Sequence, residues 1–394
     1  MTAGGRGDAA IPAAEDLRRG PAVRQATDPP AKLYVEPTSE CNLRCRTCIR
    51  NSWDEAGGFM QWDIYERLAG QFATLAGKGT VAFAGLGEPL LHERFADMVA
   101  LAKAHGLRTE VTSNALLLTA ELARRLIDVG LDQFVVSVDG ASAESFGDVR
   151  SGASLAQVVR NVKQLNDYAG PYYSPSVRIG LQFVAMRRNV QELPALERLA
   201  ADLAASFIVV SNVLPYTEEL VSEALYHDAA TARTGDGLAR MPRWYLPRLE
   251  WNDHTAGPLS HVLRRATYVS YLDADLSGWG NHCPFVQAGA LAVSWDGGVS
   301  PCPPLLHSYR CFVKDREKAF RRCVMGSLQE RSLAETWSDP QYVDLRRRVL
   351  AFDFPPCVDS GGCEAAERNE EDCFGNPFPV CGDCLWARGV IRCA

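Results

Sequence analysis

From residue 32 the chain repeats one rhythm, a short apolar run followed by a stretch with apolar positions three and four apart. "KLYVEP" reads as a strand, and Ile64, Leu68, Phe72 and Leu75 mark one face of a helix. "TVAFAG" is a second strand and runs into the turn "GLGEP". A helix from Phe95 to His105 leads to the strand "LRTEVTSN", and a helix capped by Thr119 runs to about Val129. The strand "QFVVSVDG", the helix "SLAQVVRNVKQLNDY" and the strand "SVRIGLQFV" follow. A helix near 191–204 precedes the sixth strand, "FIVVSNVLPY". Six strands alternating with helices predict an α/β fold, a parallel sheet with helical crossovers curved into a partial or full barrel. Ligands of such sheets sit at the carboxyl ends of the strands.

The rhythm fails at both ends of this region. Residues 1–29 are rich in Ala, Gly, Pro and charge and are expected to form a disordered tail. Residues 30–215 form the expected barrel, and 216–280, aromatic but without a period, a bridging segment. Residues 281–394 are dominated by cysteine, glycine and proline and are expected to form a small domain whose fold depends on bound metal. The net charge of −7 argues against a partner recognised by neutralising phosphates, so no nucleic acid is expected. No apolar run is long enough to span a bilayer and no export signal is evident, which predicts a cytoplasmic protein without a membrane partner.

Thirteen cysteines change the picture. A reducing compartment disfavours disulfides, so metal binding leads. Cys41, Cys45 and Cys48 follow the first strand as C-x3-C-x2-C, with no further cysteine until Cys283. Thiolates suit zinc, copper(I) or iron–sulfur clusters. A structural zinc site wants four closed ligands, whereas three cysteines can hold a [4Fe–4S] cluster with one iron open.

"CNLRCRTC" after strand one and "GLGEP" after strand two resemble the radical S-adenosylmethionine (SAM) superfamily. The resemblance implies a partial (βα)6 TIM-like barrel of the radical SAM type. It further implies that SAM chelates the open iron and is reductively cleaved to a 5′-deoxyadenosyl radical that abstracts hydrogen from substrate. Gly85, Gly87 and Glu88 would then meet the SAM amino group. Ser113 and Asn114, ending strand three, and Ser137 and Asp139, ending strand four, would face the ribose. "DVRSG" makes Arg150 the candidate for the SAM carboxylate. Thr47 stands where the family often carries an aromatic residue, which moves the expected adenine contact to Val213–Tyr216.

Cys283, Gly297 and Cys302 read C-x13-G-x4-C and resemble the opening of the SPASM auxiliary-cluster domain. With Cys357, Cys363, Cys373, Cys381, Cys384 and Cys393 they make eight cysteines, enough for two closed [4Fe–4S] clusters; one cluster plus zinc, or zinc alone, are the alternatives. Cys311 and Cys323, in a basic loop, are expected to be free thiols. Asp372, in the run Glu370–Glu371–Asp372, is the candidate general base, weighed against a plain acidic surface, and His307 is read as a hydrogen-bonding loop histidine.

The ending "NEEDCFGNPFPVCGDCLWARGVIRC" and the stretch "CPPLLHSY" resemble the SPASM-type maturases of tungsten-cofactor oxidoreductases. That resemblance implies a protein, peptide or cofactor substrate, tied to a tungsten oxidoreductase, and a reductant such as ferredoxin or flavodoxin. Sulfatase-type maturases often carry an acidic residue where this chain has Pro303. A peptide-modifying enzyme and a small-molecule dehydrogenase are the alternatives within the family, and a non-catalytic metal-binding scaffold is the alternative outside it.

Overall fold

The computed structural model describes residues 24–53, 55–169, 177–226, 244–246, 252–258, 269–271, 274–275, 282–355, 357 and 363–393. Most of the expected tail and much of the bridging segment lie outside these residues.

Six strands follow the expected order: β1 (Lys32–Val35), β2 (Thr80–Phe83), β3 (Arg108–Ser113), β4 (Gln133–Ser137), β5 (Arg178–Ala185) and β6 (Phe207–Asn212). Each pairs in parallel with the next. Strands covered on both faces read as continuous apolar runs, and Phe134, Val135 and Val136 of β4 are all buried. The crossovers supply the cover. Helix α1 (Trp62–Ala76) buries Ile64, Leu68 and Phe72 and stops at Gly77, whose φ of 65° lets its N–H bond back to Ala73 O. Helices α2 (Phe95–Ala104) and α3 (Ala120–Asp128) follow, the latter capped by Thr119 as its sequence predicts.

Two helices, not one, join β4 to β5. The unforeseen α4 (Ala143–Val149) is closed by a Ser142–Ser145 capping box, and α5 (Leu155–Ala169) is the expected helix. Helix α6 (Leu193–Asp202) joins β5 to β6.

The short strands β7 (Trp244–Leu246), β8 (Val269–Tyr271) and β9 (Ala274–Asp275) form a small separate sheet. Beyond them, β10 (Ala290–Val293) pairs in parallel with the free edge of β1. Strands β11 (Gly298–Ser300) and β14 (Gly326–Ser327) extend the sheet antiparallel. The cysteine-rich part therefore grows directly out of the barrel sheet. The order β14-β11-β10-β1-β2-β3-β4-β5-β6 leaves β14 and β6 as edges, so the barrel is partial. Strands β12 (Tyr309–Val313) and β13 (Arg316–Phe320) form a hairpin, held near the end of β6 by Phe312 N–H donating to Pro215 O at 2.7 Å. No helix among the described residues is long and apolar enough to cross a membrane.

Candidate active site

The carboxyl ends of the six strands surround a cavity of about 300 Å³, in the range of small-molecule sites. Gly85, Ser113, Asn114, Ser137, Val184 and Asn212 line it, together with Cys41, Cys45 and Thr47 of the loop after β1. Cys48 sits behind that wall, its N–H bonded to Cys45 O at 3.1 Å. Burial raises all three thiols, that of Cys45 to about 11. A protonated thiol of this kind would become a ligand only by losing its proton to solvent as a metal displaces it.

Arg150 closes α4 and is almost fully buried. Its Nη2 lies 2.9 Å from Asp139 Oδ2 and its Nη1 lies 3.8 Å from Cys45 Sγ. Its Nε has no partner among the described residues. Asp139 is itself fully buried and accepts from Val184 N–H at 3.0 Å. Expected to face a ribose, Asp139 is absent from the cavity wall and anchors Arg150 instead. A buried aspartate directly after an apolar strand needs a cation to offset its desolvation, and α4 delivers one.

The "GLGEP" turn also has a different local logic from the one expected of it. A Cβ on Gly87 would lie 2.1 Å from Thr38 O, so glycine is needed for the turn to pack on the cysteine loop. Glu88 N–H then donates to Glu40 O at 2.8 Å. The Glu88 carboxylate is buried; Oε1 accepts from Leu90 N–H and Ser113 Oγ, and Oε2 from Asn114 N–H at 2.8 Å. Burial pushes its pKa up against the pull of these donors. Ser113 is thus occupied by Glu88, and Asn114 donates to Asn42 Oδ1 at 2.8 Å, tying the strand end to the cysteine loop. Ser137 lines the cavity, as do Val213, Leu214 and Tyr216.

An acid that the sequence reading passed over supports this turn. Glu36, fully buried, accepts from Leu86 N–H at 3.2 Å and from His307 Nε2–H at 2.8 Å. His307 Nδ1–H donates to Glu55 Oε2 at 2.6 Å. Burial opposes a charge on His307, but the two carboxylates outweigh it and raise the imidazole to about 9. It is a charged clamp between the cysteine-rich part and the loop after β1. The signal was present in "YVEP", a carboxylate at the very end of an apolar strand.

The C-terminal cysteines fall into groups. Burial lifts Cys302, Cys381 and Cys384, and their mutual proximity with Cys283 lifts them further, Cys384 to about 12. Cys357, raised by burial to about 11, has Asp383, Lys318 and Cys373 as neighbours. Among the described residues no three His, Cys, Asp or Glu side chains gather closely enough for a single metal ion. Cys363 is half-buried and Cys373 exposed. Cys393, expected among the auxiliary ligands, lines the cavity with Cys41 and Cys45 and accepts from Trp386 Nε1–H at 3.3 Å. Cys311 lies on β12 rather than in a loop; it and Cys323 are buried, and burial lifts Cys323 to about 12. Asp372 is no base beside the cavity. Its Oδ1 accepts from Phe374 N–H and Asn376 N–H, both at 3.0 Å, and closes a turn. Glu370 pairs with Arg321, while Glu371 is exposed.

The partial barrel brings a cysteine loop, a buried arginine and a glycine turn to one mouth. Residues 35–182 match the radical SAM superfamily, and residues 283–364 match the SPASM iron–sulfur cluster-binding domain. The chain thus carries a radical SAM region followed by a SPASM iron–sulfur cluster-binding region.

A tungsten-containing aldehyde ferredoxin oxidoreductase cofactor-modifying protein of Pyrococcus furiosus is 29% identical over 368 residues, 92% of this chain and 96% of that protein. Fe-coproporphyrin III synthase of Methanosarcina barkeri is 23% identical over 331 residues, 77% of this chain and 72% of that protein. Among solved structures, anSMEcpe with bound AdoMet shares the fold with a TM-score of 0.55 at 17% identity, over 92% of this chain and 93% of that one. Streptococcus suis SuiB bound to S-adenosylmethionine does so with a TM-score of 0.54 at 15% identity, over 88% of this chain and 73% of that one.

Proposed function

We propose that this chain is a SAM-dependent radical maturase that oxidatively modifies a protein, peptide or cofactor during completion of a tungsten-containing oxidoreductase. The near full-length similarity to the Pyrococcus furiosus cofactor-modifying protein supports the substrate class. The observation that carries the chemistry is the shared wall of Cys41, Cys45 and Arg150, with the guanidinium 3.8 Å from the Cys45 sulfur.

The residues fit the implied groups. Three soft thiols stand in one loop, and a buried guanidinium beside them retains an unused donor. Cys41, Cys45 and Cys48 would hold a [4Fe–4S] cluster with one open iron, and the cavity would take SAM. When bound, the cluster supplies the single electron that splits the sulfonium and yields the 5′-deoxyadenosyl radical.

The chain's own residues bind and shield. Arg150, oriented by Asp139, meets the SAM carboxylate. Glu88 Oε2 keeps acceptor capacity for the ammonium, and the Gly85–Gly87 turn brings its backbone close. Ser137 faces the ribose. Val213, Leu214 and Tyr216 cover the adenine and keep water from the reacting atoms.

Two auxiliary [4Fe–4S] clusters complete the reading. Cys283, Cys302, Cys381 and Cys384, whose thiols raise one another, would hold one; Cys357, Cys363 and Cys373 would contribute to the second. They would take up the electron left on the substrate and pass it outward, and ferredoxin or flavodoxin would supply the electron that starts the reaction.

Anaerobic reconstitution should give roughly twelve irons per chain. Supplied with SAM, reductant and an apo tungsten oxidoreductase, the protein should release 5′-deoxyadenosine as the oxidoreductase gains activity. A colourless, zinc-loaded protein that releases no nucleoside overturns the proposal.

A further inference from the structure

The cavity wall carries two arginines in opposite states. Arg150 is buried and paired with Asp139. Arg392 is exposed in the same wall, and its guanidinium has no hydrogen-bond or ion-pair partner among the described residues. The one carboxylate lining the cavity, Glu88, is already met by three donors.

The segment carrying Arg392 is tied down at two neighbouring points of β6. Arg392 N–H donates to Ser211 Oγ at 3.0 Å, and Asn212 Nδ2–H donates to Val390 O at 2.9 Å. Both anchors stand at the carboxyl end of the last barrel strand, where ligands of this architecture bind. Ordering a long side chain costs conformational entropy, and a cation held at a cavity wall without a counter-ion gains most from an anion brought by the ligand. The neighbouring wall, Trp386 and Ile391, adds apolar surface beside it.

We propose that Arg392 is a substrate-anchoring residue that binds an oxyanion, a phosphate or a carboxylate, on the substrate, at a subsite distinct from the Arg150 position. The proposal deepens the function above and rests on its reading of the cavity as the reaction chamber.

The test is titration calorimetry on the anaerobic, cluster-loaded protein saturated with SAM, so that Arg150 is engaged. Inorganic pyrophosphate and succinate serve as probes. One or both should bind; the tighter tells whether the substrate group is a phosphate or a carboxylate. Arg392→Ala should weaken that probe by about tenfold or more, the value of a charge-assisted contact. Arg392→Lys, which keeps the charge but not the planar fork, should fall between the two. Iron content and the change in the electron paramagnetic resonance signal on adding SAM should stay as in the parent protein.

Equal probe affinity in the parent and Arg392→Ala overturns the proposal, as does the absence of probe binding to the parent. So does an equal loss of the SAM-induced signal in Arg392→Ala, which would put Arg392 in the SAM site. If instead the parent binds the probe through Arg392 but never releases 5′-deoxyadenosine, the maturase reading falls while the anion subsite stands.

Discussion

Cys41, Cys45 and Cys48 lie within one loop at the end of β1, whereas Cys283, Cys302, Cys381 and Cys384, proposed to hold one auxiliary cluster, belong to two segments separated by a hairpin and two helices. The first set needs only local turns, such as Cys48 N–H bonding to Cys45 O, to keep its cysteines within one loop. The second needs β10 to dock on β1 and the C-terminal segment to return to it. A ligand set that is local in sequence can be read from spacing; one that is assembled by folding cannot.

The sharpest way to break this comparison is to remove one thiol from each set. Cys45→Ala should abolish SAM cleavage and lower the iron content by roughly a third, with 5′-deoxyadenosine and iron assays as readouts. Cys384→Ala should remove a similar share of iron yet leave SAM binding and its spectroscopic signature in place. Equal loss of SAM binding in both variants would mean that the two regions form one cooperative site.

Next in size is Arg150→Ala, which strands the buried Asp139 carboxylate without its cation. Breaking a buried pair in this way costs about 3–5 kcal/mol, measurable by denaturant unfolding, and SAM affinity should fall with it. Adding Asp139→Asn should recover much of the stability and none of the SAM affinity.

The clamp between the two regions gives a smaller, pH-dependent effect. His307 is raised from its ordinary value to about 9, so its stabilisation is fully present below about pH 6.5 and is lost as pH rises through 9. At neutral pH it is worth on the order of 3 kcal/mol. Glu36 and Glu55 face the imidazole directly, and Arg322, paired with Asp296, lies near them. Unfolding free energy measured from pH 6 to 10 should decline for the parent protein and be flatter for His307→Gln. A parallel decline in both would remove His307 from the account.

Smallest is Asp372→Asn, which loses the contact of Oδ2 with Asn376 and costs about 1 kcal/mol. Its 5′-deoxyadenosine yield and product yield should match the parent; a collapse of product alone would restore Asp372 as a base.

Much of the barrel was legible because its apolar runs and helical periods are local records of burial on both faces of a parallel sheet. Helix α4 was missed, since seven residues capped by serines carry too short an apolar pattern to stand out. Arg150, singled out by its motif, lines the cavity. Ser113 and Asn114 line the cavity and Asp139 stands behind it, but their bonding was not legible. Which partner a polar side chain takes depends on the neighbouring strand, and Glu88 and Arg150 had first claim. Cys393 was counted with the cluster cysteines and Asp372 weighed as a base in an acidic run; folding places them at a cavity wall and in a turn.

The amino-acid order by itself determined the strand sequence, the triad of thiols and the turn that packs on it, because each depends on residues close along the chain. Tertiary structure alone decided the pairing of β10 with β1, the charged His307 clamp and the exposure of Arg392. These rest on contacts between residues far apart in sequence, whose charge states and partners exist only once burial has removed water from between them.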